Sequence, residues 1–383
     1  MPRSPVAASA WAPSDRTPVV VAARRTPVAT ADRGLAGVAV HDLAAPVLRA
    51  VLADLGPAAP PVDDVVLGCC TGPGGDVARV AALAAGLGED VPGVTVDRQC
   101  GSGLEALRVA AALVAAGQAD LVLAGGTESA SQSGRARARF APDGFPDPDM
   151  GAAADDAARL RGVTRERQDA YAARSHARAV AAADAGVFDA ETVAVAGVDV
   201  DDRPRRGLDA ARLSRFPAAF SADGTVTAGS SCGVSDGAAA LAVVPESVRA
   251  RLGVPGLAVL STAVVGGDPA VPALAAAPAV REALRRADAG LDDVGLLEVT
   301  EAFAAQLLAC TDELGLDPLG ADADRVCPDG GAIAIGHPWG ASGALLVVRL
   351  FAAMVRRQGP ALGVAACAIG GGQGVAAVLR RVG

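Results

Sequence analysis

The sequence has 383 residues, of which 51% are hydrophobic and 3% aromatic, and its formal net charge is −9. An acidic chain of this composition does not fit a general nucleic-acid binder, which would need a basic surface. The length exceeds what one ordinary hydrophobic core requires, so we expect two domains or two fused halves.

Cysteine usage and the first residues bear on the cellular compartment. The seven cysteines form no CxxC pair and no spacing with histidine that is typical of a metal site, so we expect free thiols, a reducing compartment and no metal. Residues 1–17 lack the continuous apolar segment of a signal peptide and are expected to form a loose tail. No uninterrupted apolar run reaches the roughly 18 residues that a membrane span needs. The sequence therefore predicts a cytoplasmic protein with no membrane or nucleic-acid partner.

Strands and helices are predicted to alternate along the first third of the chain. Apolar runs with β-branched residues predict strands, and apolar residues at helical spacing predict helices. Successive strand–helix units of this kind favour a parallel sheet covered by helices. The predicted strands are residues 18–23, 65–70, a short one from residue 94, and 119–125, and the predicted helices are residues 41–55, 78–86 and one that runs through residue 116.

This alternation is interrupted between residues 131 and 219. The stretch holds an arginine-rich loop, a segment rich in proline and aspartate, and one predicted helix over residues 164–186, and we interpret it as an inserted lobe. A second βα series begins near residue 256. The predicted organisation is a tail (1–17), an N-terminal core half (18–130), the inserted lobe (131–219), a return to the N-terminal half (220–255) and a C-terminal core half (256–383).

Cys100 is a candidate nucleophile because it lies in a turn between a strand and a helix. The unpaired N–H groups and the dipole at a helix N-terminus favour the thiolate, so we expect this thiol to be acidic. Gly101 and Gly103 lack side chains that would block a substrate or another backbone. A buried structural cysteine is the alternative, since most free cysteines are of that kind.

The segment around Cys100 has a counterpart near the C-terminus. Gly101–Gly103 matches Ala341–Gly343, and each triplet opens an apolar helix that is closed by a glycine, Gly117 or Gly359. An apolar strand and a pair of glycines follow in both places. The match predicts an internal repeat whose two halves bring the two helix N-termini together.

A thiol nucleophile needs a neighbouring group that takes its proton, most often a histidine. His41 opens an amphipathic helix and His176 lies in the predicted lobe helix, so both are expected at the surface. His337 follows several glycines and precedes a proline, in a turn that would aim its imidazole into a cleft. His337 is therefore the candidate catalytic histidine.

Five motifs in chain order resemble those of thiolases of the acetyl-CoA acetyltransferase type, from about residue 18 to the C-terminus. The resemblance implies an α/β fold, the thiolase fold, in which two similar βα halves form a five-layered α-β-α-β-α core with an inserted substrate-binding lobe. The motifs are DRQCGSGLEAL around Cys100, GGTES at 125–129, which is expected to form a turn, GTVTAG at 224–229, GHPWGASG at 336–343 and GGGQG at 370–374.

The resemblance also implies a mechanism. An acyl group would be carried as a thioester on Cys100, His337 would activate the thiol, and the N–H groups of Cys100 and Gly370 would bind the oxyanion. Thioesters of coenzyme A would be the substrates, with no further cofactor. The positions that match the family's pantetheine channel and acyl pocket are Phe220, Ala228, Cys232, Ala302, Phe303 and Met150.

Two departures from the family pattern concern the second half-reaction. Thr300 replaces an asparagine that binds a catalytic water. Ala368 stands directly before Ile-Gly-Gly-Gly, where the family has its acid/base cysteine, and Cys367 lies one residue earlier. In a strand, that shift turns the thiol to the opposite face. Counted from His337, however, Cys367 falls at the usual separation. We give more weight to the glycine motif, which places Ala368 at the acid/base position. Because alanine has no group that can take a proton, we expect impaired transfer of the substrate's α-proton.

These departures leave three functions open. The leading interpretation is thiolase chemistry, that is, Claisen condensation or thiolytic cleavage. The first alternative is a ketosynthase-like decarboxylative condensation or simple acyl transfer, with an acyl-CoA or an acyl-carrier thioester as substrate. The second is a catalytically silent acyl-CoA binder, although a binder would need neither Cys100 nor His337.

The loop that opens the lobe bears on assembly and on substrate. Residues 131–149 are fewer than in tetrameric members of the family, so we expect a homodimer. Asp149 and Pro272–Ala275 differ from the family at the pocket rim, which implies a different or bulkier acyl group. Two arginine clusters could hold phosphates of coenzyme A or the acidic face of a carrier protein, although we favour solvated surface charge: residues 135, 137 and 139, and residues 203, 205 and 206.

Overall fold

The computed structural model describes residues 11–134 and 137–383, so that Arg135 of the first arginine cluster lies outside the described residues. Its strands are β1 Pro18–Arg25, β2 Ala29–Thr30, β3 Asp64–Gly68, β4 Gly93–Val96, β5 Val122–Ser129, β6 Ser235–Pro245, β7 Gly256–Gly266, β8 Leu296–Val299, β9 Leu362–Ile369 and β10 Gln373–Val382. Its α-helices are α1 Val40–Leu55, α2 Val77–Ala84, α3 Ser102–Ala115, α4 Met150–Arg161, α5 Arg165–Asp184, α6 Ala210–Leu213, α7 Glu246–Leu252, α8 Ala276–Arg286, α9 Ala304–Leu314, α10 Ala332–Ile335 and α11 Trp339–Phe351.

The strands form one mixed sheet rather than the expected parallel one. Its order is β4-β3-β5-β6-β1-β7-β10-β9-β8, with β2 paired to β6. The pairs β3–β4, β3–β5 and β8–β9 are parallel, whereas β6 and β10 run antiparallel to both of their neighbours. The segment 125–129, which we expected to form a turn, continues β5 as a strand because it pairs with residues 236–240 of β6.

Three hydrophobic clusters divide the molecule into five layers. The β3–β5 end and the β9–β10 end of the sheet form two layers that face each other. One cluster joins α1 and α2 to the outer face of the layer that contains β3 and β5. The second joins α3 and α11 to the inner faces of both layers. The third joins α8 and α9 to the outer face of β9 and β10. The α-β-α-β-α order expected from the motifs is therefore confirmed.

Helices α3 and α11 touch through their backbones at the centre of this arrangement. A Cβ atom added to Gly103 would lie 2.5 Å from the backbone nitrogen of Ala344, and one added to Gly343 would lie 2.4 Å from that of Leu104. Real Cβ atoms are not found so close to backbone atoms, so glycine is required at both positions. The predicted meeting of the two repeated helices is thus observed.

The inserted lobe contains two helices that the sequence analysis missed, α4 and the short α6. The expected helix over 164–186 is α5, which Thr164 caps, but α4 also forms in the segment just before it. The carboxylate of Asp149 caps α4 by accepting a hydrogen bond from the N–H of Gly151 at 2.9 Å. An aspartate followed by small residues is a helix-start signal, and the low apolar content of α4 hid it.

A buried ion-pair network ties the lobe to both halves. The carboxylate of Glu191 accepts from Arg25 of β1 at 2.7 Å and from Arg349 of α11 at 2.6 Å, and Asp201 accepts from Arg25 at 2.7 Å. Arg25 is only 2% exposed. Breaking a buried pair of this kind leaves an uncompensated charge, so the network fixes the lobe against the core.

The end of α11 changes its hydrogen-bonding pattern. Residues Ala352–Arg356 form a turn of π-helix, which is the usual way in which a helix accommodates one additional residue. The helical stretch Trp339–Arg356 is long and apolar enough to cross a membrane by length and composition, but 83% of it is buried inside the protein. The central position of α11 explains that apolar composition.

Candidate active site

Cys100 lies on a tight turn between β4 and α3. Gln99 adopts a positive φ of 48°, which is rare for a residue with a side chain. Asp97 stabilises this conformation because its carboxylate accepts from the Gln99 N–H at 2.7 Å. The N–H of Gly101 donates to the carbonyl of Arg98 at 3.0 Å. These bonds hold Cys100 two residues before the first residue of α3.

The expected acidity of Cys100 is not found. Burial raises the pKa of its thiol, and the neighbouring thiols of Cys367 and Cys232 raise it further. Desolvation disfavours the thiolate more strongly than the first turn of α3 favours it, so the sequence-based expectation was wrong. The thiol is neutral in the free protein and has to be deprotonated by a neighbouring base.

His337 is held in one tautomer by the first turn of α11. The hydroxyl of Ser342 donates to the carbonyl of Pro338 at 2.8 Å, and the same oxygen lies 2.5 Å from Nδ1 of His337. Because the only hydroxyl proton is used by Pro338, Nδ1 carries the proton that it donates to Ser342. Nε2 is then the basic nitrogen, and it has no hydrogen-bond partner among the described residues.

Burial also sets the protonation of this imidazole. His337 is 2% exposed, and desolvation lowers the pKa of its imidazole to about 4. The free protein therefore holds a neutral imidazole and a neutral thiol. A proton moves between them only when the resulting thiolate or imidazolium is stabilised by substrate or by nearby charge.

Cys100 and His337 line one cavity of about 120 Å³. Four predicted substrate residues and the predicted oxyanion residue share this cavity with them: Met150, Cys232, Ala302, Phe303 and Gly370. The lining also includes residues that the sequence analysis did not assign to it, namely Ala153, Gln306, Trp339 and Ile369. The half-buried indole of Trp339 could have been found from its position two residues after His337, inside the GHPWGASG motif.

Two predicted substrate residues lie outside this cavity. Phe220 is 43% exposed, and its ring meets that of Phe303 edge to face with 5.7 Å between centroids. Ala228 begins a 3₁₀ turn at the wall of a different, basic cavity. Neither residue therefore lines the cavity that contains Cys100.

The positions that depart from the family pattern are clearly separated by the structure. Ala368 lines the catalytic cavity, whereas Cys367 lies on the other face of β9 and is fully buried. Burial raises the pKa of the Cys367 thiol to about 12. The thiol lies 3.0 Å from the hydroxyl of Thr300, which is also absent from the cavity lining.

Gly370 is packed against the loop that opens the lobe. A Cβ atom at Gly370 would lie 2.9 Å from the ring of Phe140. The next two residues, Gly371 and Gly372, have φ values of 79° and 80°, which favour glycine. This loop therefore closes over the predicted oxyanion residue.

The other two histidines differ in their placement. His41 is partly exposed, as expected. His176 was expected at the surface but is 3% exposed, and burial together with Arg203 and Arg205 lowers the pKa of its imidazole to about 4. Its Nδ1 accepts from the N–H of Arg205 at 3.2 Å. The lobe folds over His176, which helical periodicity alone did not indicate.

The two arginine clusters have different surroundings. In the first, Arg137 pairs with Asp147 and Arg139 with Asp143, as expected for surface charge. The second lines a cavity of about 360 Å³ whose wall is formed by His176, Arg203, Arg205, Arg206, Leu208, Arg212, Phe216, Ala228 and Gly229. Arg206 pairs with Asp184, but the guanidinium of Arg205 forms no ion pair with any described residue.

Glu128 is a buried residue of the site region that the sequence analysis did not single out. Its carboxylate accepts from the N–H groups of Cys70, Thr71 and Gly340 at 2.9–3.0 Å. It thereby joins the loop after β3 to the start of α11. All seven cysteines are free, and the described residues contain no group of three or more His, Cys, Asp or Glu side chains that could hold a metal ion.

Comparison with known proteins gives the same family for both halves. The family model for the thiolase N-terminal domain matches residues 18–247, and that for the C-terminal domain matches residues 255–381. An acetyl-CoA acetyltransferase of Pseudomonas aeruginosa is 40% identical over 394 residues, which cover 95% of this chain and 99% of that protein. A 3-ketoacyl-CoA thiolase of Escherichia coli is 40% identical over 391 residues, with coverage of 95% and 99%.

A solved structure agrees with these matches. The crystal structure of the Bacillus anthracis acetyl-CoA acetyltransferase superposes with a TM-score of 0.88 at 34% identity, and it covers 97% of this chain and 100% of that one. The resemblance inferred from the five motifs is thereby confirmed for residues 18–247 and 255–381.

Proposed function

This chain belongs to the thiolase family and is an acyltransferase of that family, and from that premise we propose that it transfers acyl groups through a covalent thioester on Cys100. The single observation that carries the proposal is that Cys100 and the unpaired Nε2 of His337 face the same cavity. A nucleophile and a base that face one mainly apolar pocket form the arrangement that covalent acyl transfer needs.

The proposed first half-reaction conserves atoms and charge. Nε2 of His337 takes the thiol proton of Cys100, and the sulfur attacks the carbonyl carbon of an acyl-CoA. The N–H groups of Cys100 and Gly370 stabilise the tetrahedral oxyanion. The C–S bond to coenzyme A then breaks, and the departing thiolate receives the proton from His337. The products are acyl-Cys100 and free coenzyme A.

The second half-reaction has two acceptors within thiolase chemistry. A coenzyme A thiol can take the acyl group, or the α-carbon of a second acyl-CoA can attack it after losing a proton. Only the second route needs an acid/base group at the α-carbon. Because Ala368 contributes no such group to the cavity, we expect acyl transfer to be efficient and Claisen chemistry to be slow.

Other functions have less support. Decarboxylative condensation would also tolerate Ala368, and a silent acyl-CoA binder would use the same scaffold. The names of the relatives are those of acetyl-CoA acetyltransferases and 3-ketoacyl-CoA thiolases, which favour thiolase chemistry over both.

Coenzyme A thioesters are the proposed substrates, with no additional cofactor. The basic cavity beside Ala228 supports this choice because it offers Arg205 to a phosphate group and Phe216 to an aromatic base. For the second arginine cluster this interpretation replaces the solvated surface charge that we favoured from the sequence. Solvated charge remains our interpretation of Arg137 and Arg139.

A homodimer in the cytoplasm is the proposed state of the protein. Strand β4 is an edge of the sheet, and Val94 on it is 41% exposed. On the neighbouring helix α2, Val80 and Leu83 are 36% and 45% exposed. An open edge strand with exposed apolar residues suits pairing with a second copy of the chain.

Intact-protein mass spectrometry after incubation with acetyl-CoA tests the function. We expect an adduct of about 42 Da, an acetyl group replacing a proton, on the native protein. Cys100→Ala should give none, whereas the matched change Cys232→Ala removes another thiol of the same cavity and should keep it. Absence of an adduct from the native protein, with hydrolysis and exchange also absent, would contradict the proposal.

A further inference from the structure

The catalytic cavity is lined by a carboxamide that the proposed mechanism does not use. Gln306 lies in the first turn of α9 and lines the cavity together with Ala302 and Phe303, which precede that helix. Gln306 is 2% exposed, and its amide oxygen Oε1 accepts no hydrogen bond from any described residue. Because an unpaired acceptor in the interior is costly, such an atom in the wall of a pocket calls for a donor that a ligand supplies.

The groups around Gln306 determine which atom of its carboxamide is unpaired. The thiol of Cys310, one turn further along α9, lies 3.2 Å from the carbonyl oxygen of Ala273 and donates its single proton there. The sulfur of Cys310 can then only accept from Gln306, whose Nε2 lies 3.8 Å away. The amide nitrogen is therefore turned towards Cys310, and Oε1 is the atom that is left without a donor.

The same contacts place the carboxamide beside the predicted acyl pocket. Ala273 belongs to the rim segment 272–275, and Met150 lies at the predicted acyl-pocket position; both line the cavity. Cys310 bonds to Ala273 and to Gln306, so the end of the Gln306 side chain lies next to this rim. Among the described residues of the lining, no other side chain offers an oxygen atom. A single polar group in a mainly apolar wall is a common basis of specificity in ligand pockets.

The properties of the cavity limit the chemical group that can satisfy Oε1. An amide oxygen only accepts, so the group must donate a proton, which a carboxylate cannot do. None of the described lining residues is acidic, so a buried ammonium group would have no counter-charge. The cavity volume of about 120 Å³ corresponds to about four water-sized groups of roughly 30 Å³ each. A hydroxyl on a short acyl chain is the smallest donor that meets these conditions.

We propose that the protein prefers short acyl groups that carry a hydroxyl, and that Gln306 selects them by accepting a hydrogen bond from this hydroxyl at Oε1. An apolar acyl group of the same size leaves Oε1 unpaired, so the site disfavours it although it fits. Gln306 is a specificity-determining residue in this scheme and takes no part in the proton transfer between Cys100 and His337. The proposal rests on the proposed function, because the acyl group is recognised as it is transferred to Cys100.

Two pairs of thioesters with equal numbers of non-hydrogen atoms test this preference. Glycolyl-CoA is compared with propionyl-CoA, and 3-hydroxypropionyl-CoA with butyryl-CoA, so that each pair exchanges a hydroxyl for a methyl group. The measurement is the second-order rate constant of Cys100 acylation, divided by that for acylation of free N-acetylcysteine by the same thioester. This division removes differences in intrinsic reactivity. The native protein should favour the hydroxylated member of at least one pair by about tenfold, as for one neutral hydrogen bond.

Substitution of the acceptor makes the result specific. Gln306→Leu has a side chain of similar size without an acceptor, so the preference for the hydroxylated thioester should disappear. Each ratio is taken within one protein and does not depend on the fraction of folded material. The matched control is Gln168→Leu. Gln168 is also a buried glutamine with an unpaired Oε1, but it lies on α5 outside the cavity lining, so this variant should keep the native preference.

The outcomes separate the two proposals. Equal normalised rate constants within both pairs for the native protein overturn the hydroxyl preference, and so does a preference that persists unchanged in Gln306→Leu. If Gln306→Leu does not fold, Gln306→Met, which is close to glutamine in shape, decides in the same way. Failure of the proposed function has a different signature, because native Cys100 would then accept no acyl group from acetyl-CoA either.

Discussion

The hydroxyl of Thr300 lies 3.0 Å from the thiol of Cys367, and this pair is buried behind the catalytic cavity and not in its wall. Both are positions at which the chain departs from the thiolase pattern. Thr300 lies against a thiol that is outside the cavity wall but close enough to Cys100 to raise the pKa of the Cys100 thiol, while Ala368, one residue further along β9, faces the cavity with a methyl group.

The first prediction concerns which of the neighbouring residues Cys367 and Ala368 of β9 faces the cavity. Ala368→Cys should place a thiol in the cavity and raise the rate of acetyl-CoA condensation by up to about 10²-fold, the lower end of the range for a positioned acid or base. Cys367→Ala should leave both acyl loading and condensation near the native rate. Substantial condensation by the native protein that is lost in Cys367→Ala would show that Cys367 reaches the α-carbon.

The second prediction concerns the contact between α3 and α11. Gly343→Ala should destabilise the protein by about 1–3 kcal/mol, because the new methyl group meets the backbone of Leu104 and the helices have to separate. The loading rate of Cys100 should fall as well. The matched control is Gly37→Ala, since a Cβ at Gly37 has no neighbour within 4 Å. Equal urea midpoints for the two variants would contradict the tight contact.

The third prediction is a loss of stability in mild acid. Burial lowers the pKa of His176 and of His337 to about 4, from an ordinary value of 6.5. Between these values the unfolded chain binds protons that the folded chain does not, so the free energy of unfolding decreases as pH falls from 6.5 to 4. Each histidine should account for roughly 3 kcal/mol.

Urea denaturation at several pH values measures this slope. His176→Gln removes one of the two titrations without touching the catalytic cavity, so its slope should be about half as steep. A slope in His176→Gln equal to that of the native protein would mean that His176 is protonated in the folded state.

The fourth prediction concerns coenzyme A. Arg205→Gln should raise KM for acetyl-CoA about tenfold, as expected for loss of one charge-assisted contact to a phosphate, and the native KM should rise with salt. A truncated thioester without the nucleotide should react equally well with both proteins. Arg139→Gln is the control from the first cluster. An unchanged KM in Arg205→Gln would mean that the second cluster is ordinary surface charge.

The fifth prediction concerns assembly. Val94→Asp places a charge on the open edge of the sheet and should convert a dimer into a monomer, as measured by light scattering. Exposed Val200, at 67% exposure on the lobe, provides the control, and Val200→Asp should leave the dimer intact. Four chains in the native particle would contradict the dimer proposal.

Sequence analysis predicted the features that depend on local pattern or on repetition. The repeat of small residues at the starts of α3 and α11 predicted that these helices meet, and hence that Cys100 and His337 share a cavity. The alternation of strand residues predicted that Cys367 and Ala368 face opposite sides. Both inferences follow from periodicity, which the chain carries in its own order.

Features that depend on burial by distant segments were not predicted correctly. The acidity expected of Cys100 took account of the helix terminus but not of desolvation by the lobe and by the C-terminal half. His176 was assigned to the surface because α5 has many charged residues, whereas the loop that carries Arg205 covers it. The segment 125–129 was read as a turn because of its glycines. Those glycines allow close approach of β6 and α11 instead: a Cβ at Gly126 would overlap the backbone of Gly340.

The backbone contact between α3 and α11 has a consequence for altering the choice of acyl group. Cys100 and His337 are attached to the starts of two helices, α3 and α11, whose backbones are already in contact. The separation of these two residues therefore cannot be adjusted by exchanging side chains between the helices. The variable surface of the pocket belongs to Met150 and Pro272, which lie on other elements, and to the indole of Trp339, which points away from that contact into the cavity. Redesign of chain-length preference can therefore proceed from those walls while the reacting pair keeps its spacing.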